Sequence, residues 1–279
     1  MPELPEVETI ARDLCRQGVP ERTVVRVGVF WPRTIVGLSS DTFSRRLIGR
    51  RIETIGRRAK YLVFKLSGDL FLLVHLRMTG RFQLVAAQSS RAPGVRLELD
   101  LDDGRALRFL DSRKFGRWWL TPDPGSILDR LGPEPMDEGF TGGDFAVRLK
   151  RHHRQLKPLL LDQAFLAGVG NIYADESLWT AGLNPQRLAH TLTDGEAVSL
   201  YKAVRLVLRK GIRNCGTSLG RGRPNFLSVA GQAGRNQDSL QVFRRTGCPC
   251  PRCGTPIQRL VVAQRGTHIC PACQPLPVA

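Results

Sequence analysis

The two pairs Cys250-Pro-Arg-Cys253 and Cys270-Pro-Ala-Cys273 constrain the chain most. Each Cys-x-x-Cys folds into a tight knuckle, and two knuckles supply the four thiolates of a closed tetrahedral zinc site. Sixteen residues separate them, room for a β-hairpin that would present Arg259, Arg265 and His268 to a backbone phosphate. With sulfur at every position no place remains for water, so one structural Zn2+ is expected, held by Cys250, Cys253, Cys270 and Cys273. A pair of disulfides is the competing reading, and it needs an oxidising compartment. The N-terminus carries Glu3, Glu6, Glu8 and Asp13 instead of positive charge followed by an apolar stretch, so it does not read as a secretory signal. Cytoplasmic localisation is therefore expected. Cys248 competes with Cys250 as a ligand, but regular knuckle spacing favours Cys250 and leaves Cys15, Cys215 and Cys248 outside.

Charge selects the partner. The chain has 42 Lys+Arg against 25 Asp+Glu, a formal net charge of +17, which calls for a polyanion. Residues 201–279 carry thirteen of those cations and a single acid, Asp238. Over so long a stretch, a merely solvated basic face explains little. Membrane-surface binding would use a basic amphipathic helix or a lipidation signal, and neither occurs. The apolar runs, such as residues 70–74, fall far short of the roughly 20 residues of a membrane span. Nucleic acid is the expected partner, and no membrane.

The pattern along the chain changes twice. Residues 2–17 read as a helix with Val7, Ile10, Ala11 and Leu14 on one face, stopped by Gly18-Val19-Pro20. Short β-rich runs follow at 23–31, 51–57, 61–66, 70–76, 95–101 and 107–110, the spacing of a β-sandwich. Four prolines between 121 and 135 mark a boundary. Helical periodicity then takes over at 145–154, 171–181 and 194–213, and residues 214–240, rich in Gly, Ser, Asn and Gln, read as a long mobile loop. The expected class is an α+β multidomain protein. Residues 1–122 form a β-sandwich with an N-terminal helix, 123–240 a helical domain with the loop 214–240, and 241–279 a zinc-binding β-hairpin.

No Gly-x-Ser-x-Gly, Walker or His-Glu-x-x-His motif supplies a nucleophile. The start of the chain does. Met1 precedes a small residue, and its removal exposes Pro2 as a free secondary amine. Near pKa 7.7–8.0, roughly a tenth of such an amine is neutral at pH 7, against under about a thousandth for an ordinary lysine. Added to a sugar aldehyde carbon, it forms an iminium with no N–H proton to lose, a cation that drives β-elimination. Glu3 and Glu6 follow immediately as candidate general acid and base. The competing reading is that Pro and Glu simply suit a first helical turn.

The string Met1-Pro2-Glu3-Leu4-Pro5-Glu6-Val7-Glu8-Thr9, taken with the terminal four cysteines, resembles the formamidopyrimidine-DNA glycosylase family, bacterial enzymes that excise oxidised purines. The likeness continues along the chain. Arg58-Ala59-Lys60-Tyr61 is similar to the family's phosphate-binding lysine segment; residues 75–80 and 111–116 resemble its two intercalation loops; Leu156-Lys157-Pro158 and residues 168–173 resemble its helix–two-turn–helix motif; and Ala263-Gln264-Arg265-Gly266-Thr267 resembles the tip of its zinc hairpin. The resemblance implies a bifunctional glycosylase and abasic-site lyase acting as a monomer on double-stranded DNA that contains oxidised purines or abasic sites. Pro2, Glu3, Glu6, Lys60 and Arg265 are its implied catalytic group. Lys60, Lys157, Asn171 and Arg265 would grip the backbone, while Met78, Arg113 and Phe115 would fill the hole left by an extruded base.

One stretch departs from the family. Where many members carry a Thr-Leu-basic-Asp-aromatic string, this chain has Thr217-Ser218-Leu219-Gly220-Arg221-Gly222. Ordering a mobile loop over a base costs roughly 1 kcal/mol or more per residue, so formamidopyrimidines and abasic sites are expected to be processed faster than 8-oxoguanine. Two other functions fit parts of the sequence. An endonuclease VIII-like glycosylase for oxidised pyrimidines shares Pro2 and zinc, although Arg113 and Phe115 favour the purine branch. A non-catalytic zinc-ribbon DNA-binding protein needs only the basic third and the cysteines.

Overall fold

The computed structural model describes residues 1–220 and 224–276; Arg221 and Gly222 of the departing string lie outside them. The chain divides into two compact units, Met1–Asp129 with Ile212–Gln237, and Arg130–Gly211 with Asp238–Ala279.

The first unit opens with α1 (Leu4–Arg16), which begins at a capping box. Glu3 is the N-cap, and its amide donates to Glu6 Oε2 at 2.8 Å. Proline at the second helical position has no intrahelical donor to lose. Val7, Ile10, Ala11 and Leu14 are buried. After it come β1 (Val24–Val29), α2 (Ser40–Leu47), β2 (Ile52–Arg58), β3 (Tyr61–Leu66), β4 (Leu70–His75), β5 (Arg81–Ala86), β6 (Val95–Leu101), β7 (Arg105–Leu110), β8 (Arg117–Thr121) and α3 (Gly125–Leu128). The strands form two antiparallel sheets, ordered β1-β6-β7-β5 and β2-β3-β4-β8. Leu62, Phe64 and Leu66 of β3 point inward while Lys65 faces solvent, and the two faces meet through Phe64–Phe82 (6.4 Å between centroids), Phe82–Trp118 (5.7 Å) and Phe109–Trp118 (5.4 Å). The sandwich is thus present, with two strands beyond the expected set. Both β5 and β8 are edge strands; β5 buries only Phe82, and β8 carries the adjacent Trp118 and Trp119.

The segment 214–240 differs from its expectation. Most of it clusters with the sandwich unit, and its described residues are anchored: Phe226 and Val229 enter the core, and Thr217 and Asn236 are buried. Asn236 N donates to Gly216 O at 3.0 Å, Asn236 Nδ2 to Thr217 Oγ1 at 2.9 Å, and Ser218 N to Gln237 Oε1 at 3.0 Å. Such side-chain bonds follow no period, which is why the polar stretch looks structureless in sequence.

The second unit contains α4 (Gly142–Lys150), α5 (Leu156–Leu161), α6 (Asn171–Ala181), α7 (Asp194–Arg213), β9 (Gln258–Val262) and β10 (Arg265–Ile269). α4 starts earlier than expected because Thr141 and Asp144 form a capping box ahead of the apolar residues, and it ends at Lys150. α6 is enclosed on all sides from Ile172 to Trp179, its Asp175, Glu176 and Ser177 included. Gly211 of α7 touches the Tyr173 ring so closely that a Cβ there would lie 2.6 Å from Cε1. The zinc hairpin clusters with these helices in the second unit. Its two-residue turn, Ala263 (φ 45°) and Gln264 (φ 62°), has the left-handed pair of a type I′ turn. Among the described residues no helix is long and apolar enough to cross a membrane.

Candidate active site and zinc centre

In the first unit Pro2, Glu3 and Glu6 are all buried. Glu6 is shared between two backbone amides. Its Oε2 accepts from Glu3 N, next to Pro2, and its Oε1 accepts from Thr217 N at 2.7 Å. Gly216, at φ +81°, makes this approach feasible, since a Cβ on it would stand 3.0 Å from Glu6 Cγ. One carboxylate therefore braces both the start of the chain and the base of the 212–237 segment.

Lys60 occupies the two-residue turn between β2 and β3, closed by the Arg58–Tyr61 pair, and is 5% exposed. Opposite Tyr61 on β4 stands His75, its ring edge-on to the tyrosine at 4.8 Å. Burial, reinforced by the positive charges of Arg77 and Lys60, lowers the His75 pKa to about 3. The imidazole is therefore neutral, and its Nδ1 accepts from Arg77 N at 3.1 Å.

The loops 75–80 and 111–116 share an anchor, the buried Asp111. Its Oδ1 accepts from Thr79 Oγ1 and from Arg113 N (3.2 Å), and its Oδ2 from Gly116 N (2.7 Å). Gly80 and Gly116 both lie against the Phe109 ring with no room for a side chain. Met78 and Phe115, which core packing would have hidden, are 40% and 46% exposed, and the Arg113 guanidinium sits 4.8 Å from the Phe115 ring centroid.

The second unit holds Lys157, one of the expected DNA contacts, among protein partners. Lys157 is fully buried, ion-paired with Asp175 Oδ1 at 2.6 Å, and donates to Thr267 Oγ1 (2.7 Å) and Gly266 O (2.9 Å). All of these partners are protein groups. Lys157 is a strut between α5, α6 and β10. His268 is also buried, with Nδ1 3.1 Å from Asp175 Oδ2, which also accepts from the His268 amide at 2.9 Å. Asn171 opens α6 and donates to Gly266 O at 3.0 Å, while Arg265 beside it is exposed. Glu176 accepts from the amides of Gln241, Val242 and Phe243 at 2.8–2.9 Å. Sequence reasoning passed over Asp111, Thr217, Asp175 and Glu176. A visible signal existed for the last two, since acids inside an otherwise apolar helix require buried partners.

The sulfurs of Cys250, Cys253, Cys270 and Cys273 lie within 4.8 Å of one another, with separations of 3.9 Å (250–273), 3.4 Å (253–270) and 3.5 Å (253–273). Tetrahedral Zn–S bonds of about 2.3 Å place sulfurs roughly 3.8 Å apart, whereas a disulfide needs about 2.05 Å. The donor set fits a single structural zinc. Cys248 is exposed and outside the cluster. Arg252, within the first knuckle, donates to the Trp179 and Thr180 carbonyls at 2.7 and 2.8 Å, capping the C-terminal end of α6.

Three family models match along the chain: the formamidopyrimidine-DNA glycosylase N-terminal domain over residues 1–118, its H2TH domain over 131–221, and the zinc finger found in FPG and IleRS over 247–276. A formamidopyrimidine-DNA glycosylase of Protochlamydia amoebophila is 46% identical over 98% of this chain and 99% of its own. One of Herpetosiphon aurantiacus is 48% identical over 98% and 100%. Among solved structures, a point mutant of Lactococcus lactis Fpg in complex with Fapy-dG-containing DNA superposes with a TM-score of 0.91 at 34% identity, covering 99% of this chain and 100% of that one. The MutM (Fpg) protein of Thermus thermophilus gives 0.88 at 43%, covering 98% of both. With all three models in order and such identity over nearly the whole length, the chain belongs to the formamidopyrimidine-DNA glycosylase family.

Proposed function

We propose the following course for the family's reaction in this chain: excision of oxidised purines, formamidopyrimidines and 8-oxoguanine among them, and cleavage of the resulting abasic site through residue 2. Removal of Met1 frees the Pro2 amine. Its nitrogen attacks the sugar C1′, the bond from C1′ to the base breaks, and the base leaves with a proton. Glu3 moves a proton at the ring oxygen as the sugar opens. The iminium acidifies C2′, and loss of that proton expels the 3′-phosphate; a second elimination expels the 5′-phosphate and leaves a one-nucleotide gap. Glu6 orients the amine, and its bonds to Glu3 N and Thr217 N are the observation that carries this reading.

Lys60, Asn171 and Arg265 hold backbone phosphates, and Met78, Arg113 and Phe115 fill the space vacated by the extruded base. Exposure of Met78 and Phe115 on loops fixed by Asp111 supports that wedge. Cys250, Cys253, Cys270 and Cys273 ligate one zinc, which supplies rigidity to the hairpin and no chemistry. This reading sets the work in the cytoplasm, on nucleoid DNA. Borohydride reduction in the presence of abasic-site DNA should cross-link the processed protein through residue 2, located by mass mapping. Cross-linking at a lysine, or none with a free Pro2, would refute it and favour the non-catalytic binding protein.

A further inference from the structure

The helix that follows Pro2 and the turn that carries Lys60 come from separate stretches of chain. We propose that Arg57 fixes one against the other and is a positioning residue for the Pro2 reaction; the inference rests on the roles assigned above to Pro2 and Lys60. Arg57 lies near the end of β2 with its side chain only 9% exposed. Its Nε donates to Glu8 Oε2 at 3.0 Å, and its Nη1 donates to the Ala59 carbonyl at 3.1 Å. One edge of the guanidinium thus grips α1, and the other grips the peptide that leads directly into Lys60.

Both ends of this link are themselves constrained. Glu8 also accepts from Arg12 Nε at 2.6 Å, which steadies its carboxylate on the helix. Ala59 is 1% exposed and holds φ +53°, a left-handed conformation that a residue with a Cβ disfavours. A charged donor on its carbonyl helps to hold that conformation. Lys60 has four rotatable side-chain bonds, so where its ammonium can reach depends on where its backbone is held. An error of about 1 Å between a phosphate grip and a nucleophile costs on the order of a hundredfold in rate. Only a planar fork spans both acceptors. Lysine, a point charge on a flexible stem, cannot do so.

The test uses full-length, zinc-loaded protein with Met1 removed, and the variants Arg57→Met, Arg57→Lys, Glu8→Gln and the double variant Arg57→Met/Glu8→Gln. Two quantities are read well below each variant's unfolding temperature. One is the single-turnover borohydride trapping rate at saturating duplex with a preformed abasic site. The other is the salt dependence of binding to a duplex carrying a stable abasic analogue. Arg57→Met and Arg57→Lys should each slow saturating trapping at least about tenfold and lower the salt slope by about one, as the Lys60 contact is lost. Glu8→Gln, which keeps an acceptor without its charge, should slow trapping about threefold. The double variant should trap no more slowly than Arg57→Met, because both changes cut one link. If Arg57→Met or Arg57→Lys traps at the parent's rate with the parent's slope, whatever its unfolding temperature, the proposal is overturned; additive losses in the double variant overturn it too. Failure of the parent to trap through residue 2 would instead defeat the Pro2 assignment, and is seen before any variant is compared.

Discussion

Replacing Lys157 by methionine separates a phosphate contact from a buried strut. Lys157 and Asp175 have no exposed side-chain surface, and the ammonium lies 2.6 Å from one carboxylate oxygen and 2.7 and 2.9 Å from its two other acceptors. Methionine fills similar volume but leaves the Asp175 charge with only the His268 amide and ring. Removing one member of a buried pair costs about 3–5 kcal/mol. At about 3 °C per kcal/mol for a unit of this size, calorimetry of the zinc-loaded protein should show unfolding lowered by about 10–15 °C. Adding Asp175→Asn should recover part of this, because no unpaired charge remains. The salt dependence of DNA binding, followed by fluorescence anisotropy below the variant's transition, should keep the parental slope. Arg265→Ala should do the opposite, lowering the slope by about 0.9 and leaving unfolding nearly unchanged. A Lys157→Met protein with parental stability and a slope reduced by one would refute the strut and restore Lys157 to the DNA interface.

Met78→Ala combined with Phe115→Ala should slow base excision by about tenfold or more and spare cleavage of a preformed abasic site, where no base is extruded; equal losses on both substrates would mean that these side chains support the fold. Chelating zinc, or Cys253→Ser, should weaken DNA binding more than it unfolds the sandwich, as circular dichroism and binding titrations on one sample would show, since a structural site organises mainly its own hairpin. His75 titrates near 6.5 when unfolded and about 3 when folded, so over that window the unfolded chain binds more protons. Stability is whole above about pH 6.5 and falls, by up to a few kcal/mol, as pH drops toward 3. Urea unfolding at pH 7, 5 and 4 should show a shallower acid loss in His75→Gln than in the parent.

Much of this was legible in sequence because it rests on local rules. The bounds of α6 and α7, the two knuckles and the N-terminal helix follow from periodicity, Gly-x-Gly punctuation and cysteine spacing. The strands β5 and β8 are less legible because β5 buries only Phe82, and in β8 the adjacent Trp118 and Trp119 hide the alternation in the sequence. The burial of Lys157 is not legible for a different reason. A lysine in a basic chain looks like a surface cation until its partner is known, and Asp175 is eighteen residues away on another helix. The same blindness hid Asp111, whose three donors come from two loops more than thirty residues apart. Spacing along the chain carries the metal site, but not which charges will be buried together.

The anchoring of the 212–237 segment alters what its deletion would test. Ordering cost was the reason to expect slow removal of 8-oxoguanine, at about 1–2 kcal/mol for each residue fixed. The described residues carry little of that cost. Thr217 is held by Glu6, Ser218 by Gln237, and Leu219 and Asn225 bond to each other twice, at 2.6 and 2.9 Å. The base of the segment and the Glu3 amide, next to Pro2, also share the Glu6 carboxylate, so the segment is not separable from the start of the chain throughout its length. Removing residues 216–218 would take away the Thr217 amide and loosen Glu6, lowering base excision and abasic-site cleavage together. Gly216→Ala should do the same on a smaller scale, since its Cβ would stand 3.0 Å from Glu6 Cγ at a φ of +81° that alanine disfavours. Shortening the chain only between Leu219 and Asn225 leaves Glu6 and its two donors in place. That variant should lose 8-oxoguanine excision while its rate on preformed abasic sites stays near the parent's. If both rates fall equally, the influence of this segment on the Pro2 amine does not run through Glu6.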